Sequence, residues 1–198
     1  MLWKFPMKPM KVDEDIFKRV NCDDYIMEKK YDGYRVIIQK DITIKLFSRH
    51  KNRFDIPTNL IDQLNSMQIP NGTVFDGEIW NLNKRGSWNY SKEDECKITL
   101  WDTMIWNHKD VTHETIEKRY GYLSGLTSDC GSINVISRHE VNPTVFNQIK
   151  KDAYEHRKLN DNRSGFIHGV VLKKKESMRR DDPKRTKEHP DWLKIVLF

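Results

Sequence analysis

Cysteine is scarce in this sequence, and what there is forms no pattern. The 198 residues include three cysteines, Cys22, Cys96 and Cys130, odd in number, scattered and without CxxC spacing. That argues against a disulfide framework or a zinc site, and for free thiols in a reducing, cytoplasmic compartment. The seven histidines fall into no HxxxH-like arrangement. No apolar run is long enough to cross a bilayer, and Met1-Leu2-Trp3-Lys4-Phe5-Pro6 lacks the apolar stretch of a signal peptide. Internal repeats and low-complexity tracts are missing as well. These absences set aside secreted disulfide scaffolds, membrane spans, zinc modules and repeat arrays.

What remains is a globular composition. Hydrophobic residues make up 37% and aromatics 11%, enough for a packed core in a single domain spanning residues 1–198. The net charge of +6 suits a polyanionic partner without identifying one.

Periodicity predicts strands over residues 24–30, 34–39, 42–47, 73–81, 97–105, 133–137, 166–173 and 191–198. It predicts helices over 59–67, over 111–123 with Thr112 as N-cap, and over 143–158 with Pro143 in the first turn. Many strands with about three helices indicate an α+β domain. Two connections are long, residues 82–95 and 174–190.

The most informative segment is Glu28-Lys29-Lys30-Tyr31-Asp32-Gly33-Tyr34-Arg35. A lysine at a strand end beside a tight turn projects into a cleft, and its amine attacks only when unprotonated. Strand alternation is read as carrying Asp32 and Arg35 to the same side, Asp32 to orient the amine and Arg35 to grip ribose or phosphate. Gly33 supplies backbone freedom for the turn. Taken alone, the same segment also reads as a charged hairpin with a solvated face.

Further segments follow in order: Phe47-Ser48-Arg49, Phe75-Asp76-Gly77-Glu78-Ile79, Leu100-Trp101-Asp102, Gly169-Val170-Val171-Leu172-Lys173 and Trp192-Leu193-Lys194-Ile195. With the Lys-x-Asp-Gly-x-Arg segment, they resemble the ordered motifs of the covalent nucleotidyltransferases, which comprise DNA ligases, RNA ligases and capping enzymes. The Pro-Met within Phe5-Pro6-Met7-Lys8-Pro9-Met10, the Glu28-x-Lys30 spacing and the basic loop before Asp191-Trp192-Leu193-Lys194 resemble the ATP-dependent DNA ligase branch. The resemblance implies the ATP-grasp-like nucleotidyltransferase fold, two antiparallel sheets with flanking helices around a nucleotide cleft.

That resemblance also implies roles. Lys30 would attack the α-phosphate of ATP and hold AMP as a phosphoramidate. Glu28 and the backbone near Lys29 would read the adenine edge, Tyr31 would belong to the same nucleotide site, and Trp101 would stack on the base, a contact of about 1–3 kcal/mol by analogy with base stacking. Asp32 would orient the amine, Arg35 and Arg49 would hold ribose and phosphate, and Glu78 would hold the ribose or a metal-bound water. Lys173 and Lys194 would neutralise the α-phosphate, and Mg2+ would assist the leaving group. The loop carrying Lys174, Lys175, Arg179, Arg180, Lys184 and Arg185 reads either as a contact to the backbone of nicked duplex DNA or as a solvated charged loop.

The sequence departs from the family pattern at three places. His168 stands where motif IV normally has a glutamate that helps bind metal, and histidine suits magnesium poorly. Val196 stands where motif V has a second basic residue. No OB-fold follows motif V within these residues: the closing OB-fold is absent, removed or supplied by a partner, and slow self-adenylylation and weak nick joining are expected without it. The expectation is a monomeric, phage-like or viral ligase-type adenylylation domain. An RNA ligase or other nucleotidyltransferase, and a non-catalytic binding module on the same fold, are the alternatives.

Overall fold

The computed structural model describes residues 7–55, 57–81, 96–126, 131–159, 166–180 and 188–198. In chain order the elements are β1 (Lys8–Lys11), α1 (Ile16–Arg19), a 3-10 turn (Cys22–Asp24), β2 (Tyr25–Tyr31), β3 (Tyr34–Lys40), β4 (Ile44–Ser48), β5 (Arg53–Phe54) and α2 (Thr58–Ser66). They continue with β6 (Thr73–Asn81), β7 (Cys96–Trp106), β8 (Lys109–Asp110), α3 (Ile116–Ser124), β9 (Ile133–Val135), β10 (Arg138–Glu140), α4 (Pro143–Leu159), β11 (Ile167–Lys174) and β12 (Glu188–Val196).

Two sheets result. The first runs β1-β12-β11-β2-β10, and the second β5-β4-β3-β6-β7-β8 with β9 joined to β7. Pairing is antiparallel apart from β1 with β12 and β7 with β9, which are parallel. This is the expected α+β, two-sheet architecture.

Each sheet buries one face under helices because its strands alternate. In α4, Phe146, Ile149 and Ala153 recur at helical spacing and pack on Met27, Val170, Leu172, Leu193 and Ile195 of the first sheet. In α2, Leu60 and Leu64 lie one turn apart and, with Leu123 of α3, cover Val36, Ile38, Phe75 and Leu100 of the second. Burying each such side chain contributes about 1.5–3 kcal/mol. The alternate residues, Glu28 and Lys30 of β2, Lys173 of β11 and Trp192 and Lys194 of β12, line a cleft with residues of the second sheet.

Three local readings change. Strands β2 and β3 are not a hairpin: they lie in different sheets, so Asp32-Gly33 is the crossover between them. Lys30 and Arg35 share the cleft because they sit on different sheets, not because of alternation along one strand. The third helix begins at Ile116, capped by Thr115, whose hydroxyl accepts from the Lys118 N–H. Thr112 instead donates to Asp110 Oδ1 through its main-chain N–H at 2.9 Å and its hydroxyl at 2.5 Å, fixing a turn. Strands β1 and β10, each at a sheet edge, carry no strong alternation, which is why periodicity misses them.

Among the described residues, no helix is long and apolar enough to cross a membrane.

Candidate active site

The cleft has a volume of about 520 Å³, within the range of a small-ligand site. Lys30 projects into it from the end of β2. Its Nζ lies 3.3 Å from Nδ1 of His168 and 3.4 Å from the main-chain oxygen of Tyr31. His168 reaches Lys30 through a bulge. Ile167 pairs with Tyr31 and Gly169 with Lys30, so His168 is an extra residue on β11. Such bulges re-aim a side chain. The other ring nitrogen of His168, Nε2, is 2.7 Å from the main-chain oxygen of Phe198.

On the facing sheet, Arg35 clamps Asp76 in bidentate fashion, Nε to Oδ1 at 2.9 Å and NH2 to Oδ2 at 2.5 Å, and donates through NH1 to Met7 O at 2.5 Å. Its guanidinium lies 5.7 Å from the centroid of the Trp101 ring. Trp101 lines the cleft, and its buried Nε1 has no hydrogen-bond partner among the described residues. Glu78, opposite Arg35 in the sheet, accepts from the Gly33 N–H at 3.1 Å. A Cβ on Gly33 would lie 2.6 Å from the Ile79 carbonyl, so glycine permits the close approach of the crossover to β6. Burial pushes the Glu78 carboxyl up to about 7, against the lowering pull of Lys30 and Arg35.

The floor is a buried charge network. Glu28 receives Arg138 Nε at 3.2 Å and Lys173 Nζ at 2.5 Å. Asp76 and Asp102 face each other across β6 and β7, an arrangement of like charges that is unfavourable by itself. Arg179 inserts between them, its NH1 2.9 Å from an oxygen of each, and Arg119 pairs with Asp102 at 2.8 Å. Burial alone would raise the Asp102 carboxyl, but Arg119 and Arg179 hold it down at about 2. Burial lowers the Lys173 ammonium, which Glu28 and Asp102 counter. The five cations Arg35, Arg119, Arg138, Lys173 and Arg179 outnumber the carboxylates Glu28, Asp76 and Asp102. The positive excess below the cleft favours an anion. Lys194 adds to it from β12. Burial depresses its ammonium, Glu188 opposes that, and Lys8 and Lys30 deepen it.

The profile of the ATP dependent DNA ligase domain family matches residues 6–195. The chain belongs to that family. Among named relatives, the SPbeta prophage-derived DNA ligase-like protein LigB of Bacillus subtilis is 26% identical over 189 residues, covering 90% of this chain and 63% of that protein. Protein 3 of the Kluyveromyces lactis killer plasmid pGKl-2, which is uncharacterized, is 22% identical and is covered over 31% of its length. The chain therefore spans less than two thirds of these relatives. Of solved structures, mycobacterial DNA ligase D complexed with ATP and MES superposes with a TM-score of 0.64 at 15% identity, over 98% of this chain and 60% of that one. The bacteriophage T7 ATP-dependent DNA ligase in complex with ATP gives 0.56 at 16%, over 97% and 68%. An archaeal ATP-dependent RNA ligase gives 0.59 at 14%, over 98% and 48%.

In this ligase domain, Glu28, Lys29, Lys30, Tyr31, Arg35, Arg49, Glu78, Trp101, Lys173 and Lys194 all line one cleft. Arg49 reaches its rim from the turn after β4, where Ser48 Oγ accepts the N–H groups of His50 and Asn52. Asp32 is not among the lining residues, and its main-chain N–H donates to Phe166 O at 3.0 Å.

Two residues sit differently from the expectation. Arg179 is 4% exposed and neutralises two buried carboxylates rather than presenting its charge to solvent. His168 directs both ring nitrogens at protein atoms, Nδ1 toward Lys30 and Nε2 toward Phe198. Lys174 and Lys175 are partly exposed and Arg180 is exposed, whereas Lys184, Arg185 and Cys130 lie outside the described residues. Sequence reasoning missed Arg138 and Arg119 altogether. It quoted Asp76 and Asp102 only as parts of motifs, because their partners are distant in the chain.

Proposed function

We propose that this ligase domain forms a covalent lysyl-AMP at Lys30 from ATP and transfers the AMP to the 5′-phosphate of a nicked DNA strand, which is then sealed. The single observation that carries this reading is Lys30 projecting into a cation-rich cleft that Glu78, Arg35 and Trp101 also line.

The cleft suits a nucleoside triphosphate. Trp101 lines it with an aromatic ring, and Lys173, Lys194, Arg35 and Arg49 supply charge for phosphates. Attack by the Lys30 amine on the α-phosphorus forms an N–P bond and breaks the bond to the bridging oxygen, releasing pyrophosphate. Lys173 and Lys194 line the same cleft and would offset the negative charge that builds on the α-phosphoryl oxygens. Asp76 holds the Arg35 guanidinium in one orientation. Among the described residues, no three His, Cys, Asp or Glu side chains converge on a metal position.

A nicked duplex with a labelled 5′-phosphate tests the transfer. With ATP, wild-type protein is expected to produce an adenylylated or sealed DNA strand. Activity on a nicked RNA duplex alone would assign the domain to the RNA ligases, which share the fold.

A further inference from the structure

The contact between Lys30 and His168 has a chemical consequence. Nitrogen Nε2 of His168 faces a main-chain oxygen, which can only accept, so Nε2 carries a hydrogen. Nitrogen Nδ1 lies 3.3 Å from the Lys30 amine. Two nitrogens at that distance share one proton: either the ammonium donates to a bare Nδ1, or a protonated ring donates to a neutral amine. Building on the adenylylation reading above, we propose that His168 is the base that takes the proton from Lys30 and frees its lone pair for attack.

The motif resemblance leads one to expect a carboxylate at this position, and here an imidazole occupies it. The bulge in β11 aims the ring at Nζ, and the Phe198 oxygen fixes its orientation, the arrangement that a base held by a third group requires. In the forward step, one proton passes from the ammonium to Nδ1, making an imidazolium. The amine then forms the N–P bond as the bridging oxygen leaves on pyrophosphate with the bonding pair. The second amine proton departs with pyrophosphate or to water. Glu78 from β6 and Lys194 from β12 also act electrostatically on Lys30. Neither makes a hydrogen bond to Nζ, whereas His168 lies within hydrogen-bonding distance of it.

The test uses two variants of the full chain. His168→Asn keeps an acceptor near Nζ but cannot take a proton, and His168→Glu restores a base. Rates of AMP adduct formation with ATP are read by intact mass. Acylation of Lys30 by a small anhydride at neutral pH is read by peptide mass against the exposed Lys18, with no nucleotide present. We expect His168→Asn to slow adduct formation about a hundredfold, in line with a general base, and to reduce Lys30 acylation relative to Lys18. His168→Glu should recover at least a tenth of the wild-type rate. Wild-type behaviour in His168→Asn, or no recovery in His168→Glu, overturns the proposal. A wild type that forms no adduct overturns the adenylylation reading instead, and the acylation ratio still judges His168 alone.

Discussion

Glu78 shows how one residue links the cleft to stability. Its carboxyl titrates near 7 in the folded chain against an ordinary value of 4.5. The folded state therefore holds a proton that the unfolded state loses. The stability this provides is complete below pH 4.5 and is lost as pH rises through 7. The difference corresponds to about 3 kcal/mol. Glu78→Gln, which keeps an acceptor for the Gly33 N–H, should match wild type in urea unfolding at pH 4.5 and exceed it at pH 8. Parallel stability profiles for the two proteins would contradict the assignment. Glu78 and Lys30 were legible in the sequence because each sits in a short contiguous motif that resembles one of the family's ordered motifs. Arg138, whose nitrogen meets Glu28 across 110 positions of chain, had no local signature.

At the scale of elements, the loop after β11 is the part whose role changed most. Its run of lysines and arginines reads from sequence as a surface for phosphate. Yet Arg179 turns inward, its main-chain N–H donating to Thr112 O and its guanidinium bridging β6 and β7. The loop that leaves the first sheet is thereby stapled to the second. Breaking a buried pair of this kind costs about 3–5 kcal/mol because the carboxylates keep their burial and lose a partner. Arg179→Met should lower stability by that amount in urea unfolding while leaving the DNA affinity of the folded fraction unchanged. Replacing Lys174, Lys175 and Arg180 by alanine should do the reverse. DNA binding should weaken, and the slope of log K against log salt should fall by about 1 for each residue that contacts phosphate. Equal effects of the two variants on the salt slope would contradict this division. Charge alone could not distinguish the inward arginine from its outward neighbours, since the distinction lies in the facing aspartates of another sheet.

For the whole molecule, the strands of both sheets were largely visible as alternating segments, and the order of motifs carried the architecture. The crossover at Asp32-Gly33 was not visible, because a Lys-x-Asp-Gly turn joins two strands of one hairpin as readily as strands of two sheets. That topology places Lys30 of one sheet opposite Arg35, Glu78 and Trp101 of the other, and the cleft between them is the basis of the functional reading. The most direct test is intact mass after incubation with ATP and magnesium, beside a Lys30→Ala control. The account predicts a gain of one AMP on the wild type alone, stable in base and lost in acid, as a phosphoramidate would be. ATP binding without an adduct, or the same adduct on Lys30→Ala, would contradict it.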